Sequence, residues 1–472
     1  MDSDVLKSAT ETEKPKGFKE HCKRNVMLLQ FYKGTIQIEG EYQVPHTTWD
    51  ERSCSYRAQA LYYREIIKYL KESAIDYIDD VLHLIPCPEL HFSLELRDYQ
   101  KDALSLWLRD RRGVIVLPTG AGKTFVALKA VEALNCSTLI VVPTLDLVDQ
   151  WRETVSKYQS HEPEMETGEY TGRKKMLKAI TISTYDSAYL NVENLGNMFK
   201  FLIFDEVHHL PSEGYRHIAE LCAAPYRMGL TATFEREDGL HSMLPRLVGG
   251  KVYEVKTQEL AGDHLSEYEI RKIRVEMLPE EQERYAENIK IFKNYLRTNH
   301  ICMRGPEDFQ KVVYRSGYDP RAWRAVKARN EARRIAYNSQ SKIEELQKLL
   351  ELHRKDRIII FTRYNDLVYY ISKRFFIPCI THKSDKNERI EVLKKFRTGA
   401  YTAIVSSQVL DEGIDVPEAN IGIILSGTGS VREYTQRLGR ILRPTEKKAI
   451  LYEVISRGTA EIQTSARRSR KE

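Results

Sequence analysis

Short apolar runs punctuate this chain, and each is followed by a longer stretch with helical periodicity. Val114–Leu117, Thr138–Val142, Ile180–Ser183, Phe201–Asp205 and Tyr226–Leu230 form one such series, which begins after Leu94. A second starts at Arg357-Ile-Ile-Ile-Phe-Thr362 and continues through Ala403–Ser406, Ile421–Leu425 and Ala449–Tyr452. Runs of four or five residues that do not alternate with polar ones read as strands buried on both faces, and strands alternating with helices make βαβ units. The pattern predicts an α/β fold with two parallel sheets, each covered on both faces.

Three regions fall outside the two series. Val26–Tyr32, Lys33-Gly34 and Thr35–Glu39 read as a hairpin, and a helix is expected from about Tyr56 to Ser73 with Leu61, Ile66, Ile67 and Leu70 on one side. This small α+β unit ends near Pro86-Cys87-Pro88, a linker by its paired prolines. Between the sheet series, residues 278–341 lack strand alternation and are rich in Arg, Lys and aromatic residues, so they read as an inserted helical segment. The expected organisation is a disordered 1–20, an N-terminal domain at 21–88, a first sheet domain at 89–250, and a second at 251–472 that carries the insert.

Composition agrees with a globular chain: 472 residues are 42% hydrophobic and 30% charged, a length for about three domains. No apolar run approaches the ~20 residues that span a bilayer, and Met1 to Lys16 has no apolar core, so neither membrane insertion nor secretion is expected and a cytoplasmic, nucleoid-associated location is. Cysteines at 22, 54, 87, 136, 222, 302 and 379 lie too far apart for a zinc module or a disulfide framework. The net charge of +6 permits nucleic acid without requiring it. Its distribution says more: Arg284 to Arg334 holds thirteen Lys or Arg against five Asp or Glu.

Two strings carry phosphate chemistry. Pro118-Thr119-Gly120-Ala121-Gly122-Lys123-Thr124 follows a strand and opens a helix, where backbone N–H groups can wrap phosphates, Lys123 can reach the β/γ-phosphates and Thr124 can hold Mg²⁺. Phe201–Phe204 ends in Asp205-Glu206, which places one carboxylate for the metal and a second to orient or deprotonate a water. Upstream, the Gln100 amide suits both hydrogen-bonding edges of adenine, and Arg97 can stack on the ring. Thr144 and Thr184 follow strands, where their hydroxyls can meet backbone phosphates, and Thr362 is a third candidate from the second sheet. Thr231 and Thr233 can hydrogen-bond to the carboxylate pair. In the second sheet domain, Arg440 and Arg443 share one helix face and can point two guanidiniums at a phosphate held by the first.

In this order the strings resemble superfamily two helicases, roughly across residues 94–458. The phosphate loop has Leu117 where the strict pattern has glycine, and P-T-G-x-G-K-T is the form typical of that class. Arg236-Glu237-Asp238, the basic insert, Trp49-Asp-Glu-Arg52 and Tyr56-Arg57 are similar to XPB-type DNA helicases of nucleotide excision repair. That resemblance implies two RecA-like domains, with ATP and Mg²⁺ in the cleft between them and DNA across the top. It also implies 3′ to 5′ polarity, a damage-recognition N-terminal domain, a thumb-like insert, and a nuclease partner in the archaeal case. By the same resemblance Gln436 joins Arg440 and Arg443 in catalysis, Gly413 and Asp415 bind nucleotide, and His208 couples hydrolysis to DNA together with Arg236, Glu237 and Asp238. The absence of the long eukaryotic extensions makes a compact archaeal or bacterial type the expectation. Competing readings are a translocase that moves on duplex DNA without separating it, a DEAH-type RNA helicase, and a DNA-binding scaffold with a vestigial ATPase.

Overall fold

A computed structural model describes residues 26–40, 42–160, 166–172, 174–236, 238–260, 268–407, 419–427, 434, 437 and 449–469. The segment expected to be disordered, 1–20, lies outside them. Three sheets organise the chain.

The first is five-stranded, in the order β3-β4-β2-β1-β5. Its strands are β1 (Met27–Tyr32), β2 (Thr35–Glu39), β3 (Thr48–Asp50), β4 (Ser55–Gln59) and β5 (Tyr77–Asp80). The hairpin turns at Lys33-Gly34, both at positive φ (45° and 83°), a two-residue turn whose twist matches paired strands. Alternate residues Met27, Leu29, Ile36 and Ile38 are buried beneath the helix Tyr63–Glu72 with Ile66 and Leu70. The helix expected from Tyr56 starts later, because Tyr56, Arg57 and Ala58 pair instead with Ile38, Gln37 and Ile36 as strand β4.

The second sheet is eight-stranded, in the order β13-β6-β12-β11-β7-β10-β8-β9. It contains β6 (Arg112–Val116), β7 (Thr138–Val142), β8 (Gly168–Thr171), β9 (Lys174–Met176), β10 (Ile180–Thr184), β11 (Phe201–Asp205), β12 (Tyr226–Thr231) and β13 (Lys251–Glu254). All pairings are parallel except β8 with β9. Successive residues face opposite layers: Ile115, Ile140 and Ile203 enter one core, Val114, Leu139, Leu202 and Phe204 the other. That two-sided burial is why these strands are apolar without alternation. Strand β13 pairs with β6, so the first sheet domain continues past the expected boundary at 250.

The chain then forms three insert helices, Pro279–Thr298, Pro306–Arg315 and Pro320–Tyr337, each started by proline in its first turn. Ala322, Ala325, Ala328 and Ala332 are buried along the third, and their small side chains let it lie close against the first. A third, wholly parallel sheet has the order β14-β19-β18-β15-β17-β16. It is built from β14 (Tyr268–Val275), β15 (Ile358–Phe361), β16 (Cys379–Ile380), β17 (Ala403–Ser406), β18 (Ile421–Ile424) and β19 (Ala449–Ser456).

Candidate nucleotide site and nucleic-acid edge

Strand order in the second sheet sorts the candidate residues. Along its C-terminal edge run the ends of β6, β12, β11, β7 and β10, which carry the phosphate loop, Thr231, Asp205, Thr144 and Thr184 in that sequence. Open parallel sheets bind ligands beyond the carboxyl ends of their strands. Here the phosphate chemistry lies on one side of β11 and the hydroxyl-bearing loops on the other.

The phosphate loop is built for an anion. Gly120 and Gly122 sit at φ 85° and 74°, which a side chain rarely adopts, and a Cβ on Gly122 would collide with the Gln100 amide. Gly122 starts the helix Lys123–Leu134, whose N-terminus no described side chain caps. Lys123 Nζ bends back to the carbonyls of Leu117 and Pro118, at 3.2 and 3.4 Å. The Thr119 hydroxyl is buried with no hydrogen-bond partner among the described residues. Uncapped N–H groups, an ammonium resting on two carbonyls and a hydroxyl without a partner among the described residues are the donor set a polyphosphate needs, so the loop fits one.

Gln100, expected at the adenine, lies against the phosphate loop. Its amide is buried, with Nε2 donating to Ala121 O at 2.8 Å and Oε1 accepting from Arg97 N at 2.9 Å. Tyr99 adds a second donor to Ala121 O at 3.0 Å. These two side chains brace the phosphate loop from the helix Asp98–Asp110, while the Arg97 side chain stays exposed.

Asp205 is buried at the end of β11, and burial pushes its carboxyl above the ordinary value, opposed by a hydrogen bond from Trp151 and by the nearby Lys123 charge. Trp151 Nε1 donates to Asp205 Oδ2 at 2.8 Å, and Tyr185 Oη donates to the Asp205 carbonyl at 3.1 Å. Nothing in the sequence signals either contact. Val148, Trp151 and Val155 have plain core spacing, and they are buried as such. One carboxylate with the Thr124 hydroxyl fits Mg²⁺, which keeps several waters and takes its other ligands from phosphate.

Glu206 follows with φ 47°, a strained backbone of the kind that clusters at functional sites. Its Oε2 lies 3.3 Å from His208 Nδ1, which in turn is 3.2 Å from Thr231 Oγ1. Thr231 Oγ1 donates to Thr233 O at 2.9 Å. The Arg236 guanidinium donates to the His208 carbonyl and closes on Asp238 through two hydrogen bonds of 2.9 and 2.6 Å. That pairing holds the Asp238 carboxyl down to about 2. A lowered carboxylate contributes above its unfolded value of 3.8 and is lost only as pH falls toward 2, so the pair is intact at neutral pH. Strings thirty residues apart thus meet at His208, whose ring lies between Glu206 and Thr231 and whose backbone carbonyl accepts from Arg236.

The threonines are placed less simply. Thr144 and Thr184 cap helices, accepting from Leu147 N at 3.3 Å and Ser187 N at 3.2 Å, so each hydroxyl is committed to its own loop. Thr362 is fully buried and bonded to Ser426 at 3.0 Å, which turns its hydroxyl away from any surface phosphate. Gly413, Asp415, Gln436, Arg440, Arg443 and Glu237 lie outside the described residues.

Residues 93–236 match the type III restriction enzyme res subunit model, 341–445 the helicase conserved C-terminal domain, and 29–81 the xeroderma pigmentosum group B helicase damage recognition domain. The DNA 3′-5′ translocase XPB2 of Sulfurisphaera tokodaii is 46% identical over 94% of this chain and 100% of its own length. The chain belongs to the XPB family. Among XPB relatives, the DNA 3′-5′ helicase XPB of Mycobacterium tuberculosis is 31% identical over 84% of this chain and 67% of its own. The general transcription and DNA repair factor IIH helicase/translocase subunit XPB/SSL2 of Saccharomyces cerevisiae is 29% identical over 80% of this chain, which spans 44% of that protein. The helicase domain of Pyrococcus furiosus Hef has the same fold, with TM-score 0.51 over 80% of this chain and 98% of that one at 17% identity. The sheets β6–β13 and β14–β19 are therefore the two RecA-like layers of an XPB-type chain, and β1–β5 fall within the damage recognition match. No described helix is long and apolar enough to cross a membrane.

Proposed function

We propose that this XPB-family chain is a DNA-stimulated ATPase that moves 3′ to 5′ and separates strands during nucleotide excision repair, with a nuclease as companion by family resemblance. The observation that carries this reading is His208, whose ring stands 3.3 Å from the water-orienting carboxylate Glu206 and whose carbonyl accepts from Arg236 of the Arg-Glu-Asp segment. Lys123 and the loop N–H groups bind the ATP phosphates; Asp205 and Thr124 hold Mg²⁺. Bound Mg²⁺ supplies positive charge against the β- and γ-phosphates. Glu206 orients water on the γ-phosphate side, and Gln436, Arg440 and Arg443 complete the site from the second RecA-like domain, where guanidiniums add ~10³–10⁵ in rate in related phosphoryl transfer. A shift of Glu206 on hydrolysis is then felt at Arg236 through the His208 residue that both contact.

Lys123→Ala and Glu206→Gln are expected to lower DNA-stimulated ATP hydrolysis at least about 10²-fold. Turnover undiminished in either variant sinks the assignment. One observation favours a second reading: the 46%-identical relative is named a translocase. Triplex displacement without fork unwinding would select movement on duplex DNA alone.

A further inference from the structure

The helical insert carries three large aromatic side chains into solvent: Tyr314 is 79% exposed, Tyr318 70% and Trp323 54%. Its own core is complete without them, since Phe292, Tyr295 and Val312 are buried against Ala322 and Ala325. Tyr318 and Trp323 do flank the Asp319 cap at the positions where an apolar pair often staples a helix start. A staple covers both of its members, however, and these two remain mostly in water. Tyr318 instead meets Tyr314 edge to face, with ring centroids 6.1 Å apart.

Exposed basic side chains share the Trp323 helix. Arg321, Arg324 and Lys327 follow one another at spacings of three, and Lys327, four residues after Trp323, places its Nζ 5.0 Å from the Trp323 ring centre. Asp319, four residues before Trp323, is occupied as the helix cap by Arg321 N at 2.8 Å and by Tyr295 Oη at 3.3 Å.

We infer that Tyr314, Tyr318 and Trp323 form a stacking platform for the bases of unpaired DNA, with Arg321, Arg324 and Lys327 along its phosphates. This rests on the DNA reading above and adds the form of DNA bound. Duplex DNA offers phosphates but hides its base faces in the stack, so basic side chains alone serve it; exposed rings among them gain only when base faces are free. An acidic protein segment would satisfy the arginines yet has no planar face to repay three solvated rings.

The test measures binding of fluorescent oligo(dT) and of a blunt duplex to the full chain. Tyr314→Ala/Tyr318→Ala/Trp323→Ala is expected to weaken oligo(dT) binding by at least about 10²-fold, from roughly fivefold or more per lost stack, while blunt-duplex binding changes less than about threefold. Trp323→Phe keeps a ring and is expected to retain oligo(dT) affinity while removing the indole emission quenched by added oligo(dT). Unchanged oligo(dT) binding in the triple variant overturns the inference, as does an equal loss on blunt duplex or tighter binding to an RNA strand than to DNA. An unmodified chain that binds no DNA overturns the proposed function itself, a result separate from these.

Discussion

Asp205, the proposed Mg²⁺ ligand, shows how much of a buried carboxylate's behaviour is supplied by a side chain distant in sequence. Its carboxylate is buried, and a buried anion needs donors to stay charged and aimed. Trp151 supplies one from the middle of the helix Leu145–Tyr158, at 2.8 Å. Metal ligands lacking such an outer partner bind their ion about 10–100-fold more weakly. Trp151→Phe preserves an aromatic of similar shape while deleting the N–H. Its half-saturating Mg²⁺ for ATP hydrolysis is therefore expected to rise by about tenfold or more, with much of the maximal rate recovered at saturating Mg²⁺. A Mg²⁺ titration that superposes on that of the unmodified chain would reduce Trp151 to a packing residue. Gln100 teaches the complementary lesson. Its amide reads as an adenine partner in the sequence, and the fold sets one end of it on the phosphate loop at Ala121 O and the other on its own helix start at Arg97 N.

At the scale of elements, Arg227 ties several loops to β12. Fully buried, it donates from Nε to Ala224 O and from its terminal nitrogens to the carbonyls of Ala219, Leu247 and Cys222, at 2.6–3.1 Å. Burial pulls its guanidinium down to about 9, so it stays charged at neutral pH. Arg227→Met would leave buried carbonyls without donors, at roughly 1–3 kcal/mol each; a fall in Tm of several degrees is expected, and a Tm within one degree of the parent would refute the seam. Neither this seam nor the sheet edges can be read from local pattern. The central strands β6, β7, β10, β11 and β12 are apolar because both their faces are covered, and that makes them visible. The strands that the pattern does not reveal, β3, β4, β5, β8, β9, β13, β14 and β16, all lie at or next to a sheet edge. There a strand needs little apolar surface: β14 reads Tyr-Glu-Ile-Arg-Lys-Ile-Arg-Val, and its identity comes from pairing with β19, far along the chain. The phosphate loop and Asp205-Glu206 are legible for the opposite reason, because each is a contiguous string at a strand end. The Trp151 and Tyr185 contacts are not, since they depend on how helices cross the sheet.

Over the whole molecule, attachments concentrate at opposite ends of the first RecA-like sheet. The N-terminal domain docks where its strands begin: Glu65 meets Arg112 at 2.6 Å, and Asn197 Nδ2 donates to Val81 O at 3.1 Å. The nucleotide edge is left open to the second RecA-like domain, which reaches it through Arg389 Nη1, 3.2 Å from Asp146 Oδ2. Asp146 sits in the first turn of the helix that Thr144 caps and that carries Trp151, so this ion pair touches the same rod that steadies Asp205. Both partners are about a quarter exposed, which limits such a pair to roughly 0.2–1 kcal/mol, or up to about fivefold in the balance between two domain arrangements. Asp146→Arg or Arg389→Asp alone places like charges together and is expected to lower DNA-stimulated hydrolysis at subsaturating ATP by two- to fivefold, by that ~1 kcal/mol ceiling. The double reversal restores the attraction and is expected to recover most of the loss, with both effects shrinking as salt rises toward ~1 M. A double variant no better than the worse single one would show that this contact does not set the domain arrangement in which ATP is hydrolysed.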